Sequence, residues 1–215
     1  MKLPLDDRQA AGLLLAEALL ERKPPGELLV LALPRGGVPV AAVIAKRLGA
    51  GLDLMLVRKL GFPGHKELAM GAIASGGIEV LNEDLVASGY VNPDALARVR
   101  QDERQELARR DKAYRGSRPW PSLKGKTVIL VDDGVATGAT MLAAVKAARG
   151  QEPAAIWVAV PVAPMDTLHK LKAAADQVVC LAAPEPFMAI GQWYRDFSQT
   201  EDEEVLALLD EAWNR

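Results

Sequence analysis

VILVDDGVATGATM, residues 128–141, decides how the chain is read. Four apolar residues run into two adjacent carboxylates, Asp132 and Asp133, and then into Gly, Ala and Thr that open an apolar-periodic segment. The end of a buried strand is a costly place for two acids unless each has a partner. From Gly134 to Thr140 there are almost no large side chains, so backbone N–H groups can approach a ligand closely. The N-terminus of the helix that follows adds its positive dipole end, and the hydroxyls of Thr137 and Thr140 can donate further hydrogen bonds. That set suits a phosphate dianion. A plain strand-to-helix turn with a Thr cap explains the small residues but not the acids. The loop has neither GxxxxGK(S/T) nor GxGxxG, so it is neither a Walker A loop nor a dinucleotide fingerprint.

Outward from this stretch, apolar runs of strand length alternate with helical patterns. A first helix is expected from a cap at Asp6 or Asp7, with Leu13, Leu14, Ala18 and Leu19 as its apolar stripe, ended by Lys23-Pro24-Pro25-Gly26. LLVLAL (28–33) reads as a strand stopped by Pro34-Arg35-Gly36-Gly37, Val38 to Leu48 as a helix, and Leu54 to Val57 as a second strand. Residues 59–68 read as a Gly- and Pro-containing loop, and 71–81 as a hairpin turning at Ser75-Gly76-Gly77. Asn92-Pro93-Asp94 starts a long charged helix to Arg115. TVILV (127–131), Ala155 to Val160 and Gln177 to Leu181 are strands, with helices at 139–149 and 165–174 between them. The expectation is an α/β fold with a central, mostly parallel twisted sheet flanked by helices. In such sheets ligands bind beyond the carboxyl ends of the strands, and PRGG, RKLGFPGHKE and DDGVATGAT all follow strands there.

The 215 residues are half apolar and a quarter charged, the balance of an ordinary soluble globular protein. A net charge of −2 gives no electrostatic case for nucleic acid or an anionic membrane, and charges interrupt every apolar run well short of a bilayer span. The start, MKLPLDDRQ, has no apolar signal core. One cysteine allows neither an internal disulfide nor a multi-cysteine metal site, so the cytoplasm is the expected compartment and Cys180 a buried, inert thiol. The helix around RVRQDERQELARRDKAYR alternates sign at helical spacing, a solvated face with ion pairs.

VILVDDGVATGATM resembles the phosphoribosyl pyrophosphate (PRPP) binding motif of type I phosphoribosyltransferases: four apolar residues, two acids, two variable residues and a T-G-x-T phosphate loop. PRGG (34–37) resembles that family's pyrophosphate loop. More narrowly, PRGG, RKLG (58–61), VDDGVATGAT and WYRDF (193–197) together resemble bacterial phosphoribosyltransferase-domain proteins of unassigned substrate, a likeness spanning most of residues 28 to 210. The resemblance implies one domain, with a core at about 26–183, a hood built from 1–25 and 184–215, and a lid at about 59–82. Asp132 and Asp133 would contact the ribose hydroxyls directly or through Mg2+, whose preferred ligands are hard oxygens. Ala136, Thr137, Gly138, Ala139 and Thr140 would wrap the 5-phosphate, with Gly134 and Val135 also in the PRPP site, and Arg35, Gly36 and Gly37 would hold the pyrophosphate.

The lid would supply Arg58 and Lys59 as cations for the leaving pyrophosphate, although two basic residues side by side also fit a solvated pair. Enzymes acting on 6-oxopurines usually carry an Asp where this chain has Ala136. The DDxxATGxT form is closer to adenine phosphoribosyltransferases, which place a lid glutamate near the base, and Glu67 is the candidate here. Phe187, Trp193 and Tyr194 cluster in an aromatic-poor chain and would bind a flat acceptor, or else form a small satellite core. The implied function is transfer of the 5-phosphoribosyl group from PRPP to a nitrogenous base or related amine, with release of pyrophosphate. The alternative is a PRPP-sensing regulatory protein with little catalytic activity. The family commonly dimerises, which leaves a homodimer open.

Overall fold

The computed structural model describes residues 3–62, 65–82 and 92–214, and for residues 65–69 the backbone alone. Five parallel strands form the central sheet: β1 (Leu28–Ala32), β2 (Gly51–Leu54), β6 (Thr127–Val131), β7 (Ala155–Val162) and β8 (Gln177–Ala182), in the order β2-β1-β6-β7-β8. Three antiparallel strands, β3 (Val57–Phe62), β4 (His65–Ala74) and β5 (Ile78–Leu81), make a second sheet. The helices are α1 (Arg8–Arg22), α2 (Gly37–Leu48), α3 (Pro93–Arg115), α4 (Ala139–Arg149), α5 (Met165–Ala174) and α6 (Asp202–Trp213).

Both faces of the parallel sheet are covered, so its strands are apolar without alternation, as the sequence indicated. Ile129 and Val131 of β6 join Leu15, Leu19, Ile44, Val205 and Leu209 of α1, α2 and α6 in one core. Val128 and Leu130 point the other way, into Met141, Val145, Leu168 and Leu171 of α4 and α5. Asp7 is the cap of α1, accepting from the N–H of Ala10 at 2.7 Å, and Asn92 caps α3 by accepting from Asp94 and Ala95.

The expected stripe on α1 is only partly right. Leu13 is 45% exposed, whereas Ala11, Gly12, Leu15, Ala16 and Leu19 are buried. A Cβ at Gly12 would stand 2.8 Å from Cβ of Val43, so small residues mark the face on which α1 approaches α2. Of the expected stripe Leu19 is buried and Leu14 and Ala18 are half-buried against the core, so Leu13 alone faces out. The second strand lies earlier than expected, at 51–54, because Leu29 to Ala32 pair in register with Gly51 to Leu54. Of the expected loop at 59–68, residues 59–62 and 65–68 are strand, and 63–64 lie outside the described residues: Arg58, Lys59 and Leu60 pair with Ile73, Ala72 and Gly71, and register shifts beside Gly61 absorb the glycine. The turn at 75–77 joins β4 to β5 as the hairpin reading required. Helix α6 has no counterpart in the sequence reading of the C-terminal segment.

The charged helix α3 is anchored by ion pairs. Arg100 and Arg104 meet Glu79, and Glu103 meets Arg58 at 2.7 Å. At its end Arg115 is buried against Asp53 of β2, with its guanidinium 5.0 Å from the Trp120 ring centre. The two ends of the chain also meet: the N–H of Leu5 donates to the carbonyl of Trp193, and the N–H groups of Arg195 and Asp196 donate to Leu5 and Asp6. Among the described residues no helix is long and apolar enough to cross a membrane.

Candidate active site

Strands β1 and β6 are neighbours, with Ala32 opposite Val131, so the loops that follow them emerge side by side. The contact is closer than any side chain allows. A Cβ on Gly36 would lie 2.0 Å from Oδ2 of Asp133, and one on Gly37 would lie 2.7 Å from the carbonyl oxygen of Val131. The N–H of Leu33 donates to that same carbonyl at 2.8 Å. The Pro34–Arg35 peptide is cis. Arg35 extends from this loop, half-exposed, to Glu201 and Asp202 at 3.5 and 3.7 Å.

The phosphate-loop candidate is held from below. The N–H of Val135 donates to Val162 at 3.0 Å, and the hydroxyl of Thr167 on α5 donates to the carbonyl of Ala136 at 2.6 Å. Gly138 has φ +81°, where a side chain would be strained, and a Cβ there would also stand 2.9 Å from the Thr167 methyl. Ala136, Thr137, Ala139 and Thr140 are exposed. The backbone N–H groups of residues 136 to 140 have no acceptor among the described residues. They open helix α4, where the macrodipole also favours an anion.

The two acids are unequal. Asp133 is buried, and its Oδ2 accepts from Nε of Arg8 at 2.8 Å, with Nη2 of the same guanidinium also 2.8 Å away as an ion pair. Oδ1 of Asp132 accepts from the N–H of Asp133 at 2.9 Å, and no Lys or Arg among the described residues pairs with it. Desolvation raises both carboxyls; the charge of Asp133 pushes Asp132 up further, to well above the usual carboxylate range, while Arg8 offsets part of the rise at Asp133. This concentration of negative charge fits a divalent cation. No group of three or more His, Cys, Asp or Glu that could hold a metal occurs among the described residues. One or two carboxylates completed by substrate oxygens and water is a pattern magnesium accepts.

The remaining predicted residues are not all brought together. Arg58 and Lys59 are adjacent on β3 and so face opposite sides of the second sheet. Arg58 is committed to Glu103, whereas Lys59 lines a cavity of about 630 Å³ with Ala139, Leu142 and Lys146 of α4. Glu67 lies on β4, but its side chain is outside the described residues. Phe187 and Trp193 sit 6.2 Å apart with tilted rings, both half-buried. Ile190 between them closes over the loop, 2.5 Å from where a Cβ on Gly134 would be. Tyr194 is different: the residue is 5% exposed, its ring stacks on Phe197 at 5.0 Å, and its hydroxyl donates to the carbonyl of Asp133 at 2.6 Å. It is a strut under the acid pair and offers no open face to an acceptor.

Two residues escaped the sequence reading. Thr167 gives no local signal. Arg8 gives a weak one, a cation in the first turn of a helix, where the dipole disfavours it.

The chain belongs to the phosphoribosyl transferase domain family, whose model matches residues 8–190. It is 46% identical over 212 residues to proteins from two strains of Mycobacterium tuberculosis whose names give phosphoribosyl transferase as a provisional activity. The match takes in 99% of this chain and 47% of each relative, so the chain spans about half the length of these curated relatives. A crystal structure from Thermus thermophilus is 43% identical, covers 98% of this chain and 99% of its own, and superposes with a TM-score of 0.86.

Proposed function

We propose that the chain transfers the 5-phosphoribosyl group of PRPP to a nitrogenous base or related amine and releases pyrophosphate, in the cytoplasm. The observation that carries this reading is the row of unpartnered N–H groups at 136–140 beside Asp132, with the Arg35-Gly36-Gly37 loop packed directly against Asp133. The three parts match the three parts of PRPP: amides for the 5-phosphate, a carboxylate for the ribose hydroxyls, and a glycine loop with one guanidinium for the pyrophosphate. Asp132, with the free side of Asp133, would hold magnesium. When bound, that ion supplies charge neutralisation for the departing pyrophosphate.

The protein's own share is positioning. Thr167 and Val162 fix the phosphate loop and Gly36 and Gly37 let the pyrophosphate loop close on the acids, so that the ribose C1 is presented to the acceptor with little reorganisation. Lys59 faces α4 and is the better placed of the two lid cations, because Arg58 is taken by Glu103. Phe187 and Trp193 remain the candidates for stacking a flat acceptor beside Gly134.

Calorimetric titration with magnesium and PRPP, followed by incubation with a panel of bases and amines while pyrophosphate is monitored, tests the proposal. Binding with pyrophosphate release for one acceptor is the expected result, and Asp132→Asn should weaken PRPP binding by about tenfold or more, the scale of a lost charge-assisted contact. Unchanged affinity in that variant would remove the central assignment. Tight PRPP binding with no pyrophosphate from any acceptor would favour a sensor over an enzyme.

A further inference from the structure

Arg8 has no local reason to be where it is. It is the first residue of α1, at the positive end of the helix dipole, and there is no acidic residue in that first turn to offset it. Yet its side chain is only 12% exposed and its donors are committed. Nε donates to Oδ2 of Asp133, Nη2 stands 2.8 Å from the same oxygen as an ion pair, Nη1 donates to the carbonyl of Ser198 at 2.6 Å, and the guanidinium lies 4.1 Å from the Phe197 ring centre. One side chain therefore joins three segments far apart in sequence: the start of α1, the end of β6 and the WYRDF turn.

Asp133 is the shared point of these contacts. Its carboxylate is taken by the N-terminal segment through Arg8, and its carbonyl by the C-terminal segment through the hydroxyl of Tyr194. The two segments are themselves bonded through Leu5, Trp193 and Arg195. Among the described residues Asp132 accepts only from the neighbouring N–H of Asp133, and neither chain end holds it.

We infer that Arg8 is a positioning residue that makes Asp133 an anchor and leaves Asp132 as the contacting carboxylate, so that ribose recognition depends on closure of the two chain ends over the site. This rests on the PRPP reading of the site and assigns different roles to acids that the motif presents as equivalent. The same clamp ties the acceptor side, Phe187 to Trp193, to the ribose side, because Trp193 and Tyr194 are neighbours in the segment that Arg8 holds down.

The test compares the wild-type chain with Arg8→Met, Arg8→Lys and the double variant Arg8→Met/Asp133→Asn, measuring melting temperature, magnesium-PRPP affinity and inorganic phosphate affinity. Arg8→Met should lose about tenfold or more in PRPP affinity, because an ångström of misplacement at a reacting group is costly. Phosphate alone, which uses only residues 136–140, should bind within about twofold of wild type, since those amides do not touch Arg8. Arg8→Lys keeps the charge with a single donor group and should recover part of the loss. In the double variant no buried charge is left unpaired, so melting temperature should return toward wild type while PRPP affinity stays low. If PRPP affinity returned together with stability, Arg8 would be a packing residue and the inference would fail. Wild-type PRPP affinity in Arg8→Met would also overturn it. Failure of the wild-type chain to bind PRPP would instead bring down the reading of the site, and the inference with it.

Discussion

The tightest contact in the site makes Gly36→Ala its most informative single change. Gly36 has φ −59° and ψ −29°, a conformation any residue adopts, so the substitution carries no backbone penalty and its whole effect is steric. The new Cβ would lie 2.0 Å from Oδ2 and 2.6 Å from Cγ of Asp133, whereas real Cβ contacts essentially never fall under 3.0 Å. The carboxylate must therefore retreat by about 1 Å, and that motion is opposed by two Arg8 contacts of 2.8 Å. Disturbing a buried pair without removing it costs less than the roughly 3–5 kcal/mol of breaking one outright, so a loss of about 1–3 kcal/mol is expected. In a chain of this size that lowers the melting temperature by about 2–12 °C, at roughly 2–4 °C per kcal/mol. PRPP affinity should fall with it, by up to about a hundredfold for an ångström of misplacement. Gly77→Ala is the matched control. Its φ of +76° makes alanine strained by about 1–2 kcal/mol, but nothing lies within 4 Å of the added methyl, so stability should drop while PRPP affinity holds. Thermal melts and calorimetric titration of the two variants decide the matter. If Gly36→Ala melted within a degree of wild type and bound PRPP normally, the loop would not pack on Asp133 as described.

Two further outcomes follow from single contacts. Thr167→Val keeps the volume that fills the space beside Gly138 but removes the hydrogen bond to the Ala136 carbonyl, so inorganic phosphate and PRPP should both bind several-fold more weakly, with about 1 kcal/mol or less lost in stability. A titration in which phosphate binding was untouched would show that α5 does not set the loop. Cys180 has its thiol pushed up to about 11 by burial, and it donates to the carbonyl of Ala182 at 3.1 Å. The native chain at pH 8 should therefore be alkylated far more slowly than the denatured chain, as intact-mass measurement after iodoacetamide would record, and equal rates would refute the burial argument.

What could be read in the sequence divides along the range of the interactions involved. The VDDGVATGAT turn, the capped start of α3 and the apolar strands β1, β6 and β7 are determined by neighbours within a few positions, and their residue types announce them. The boundaries of β2 and β3 were misplaced because Asp53, a poor strand former, is held in β2 by Arg115, a partner more than sixty positions away. The lid strands were read as loop because Gly61 weighs against strand locally, and only pairing of β3 with β4 outweighs it. The site followed the same rule. Its loops were legible, since an anion cradle needs small residues and free amides in sequence. Its supports were not, since Arg8, Thr167 and Tyr194 act across gaps of 125, 31 and 61 positions, and each replaces an ordinary surface or core role with a single hydrogen bond to the loop. Tyr194 shows how composition misleads: an aromatic cluster beside a ligand loop suggests stacking, but a phenol buried to 5% exposure is useful for its hydroxyl. The acid pair is where the two ranges meet. Local sequence places Asp132 and Asp133 side by side, and distant partners then make one an anchor and leave the other to the ligand, a distinction that adjacent identical residues cannot reveal by themselves.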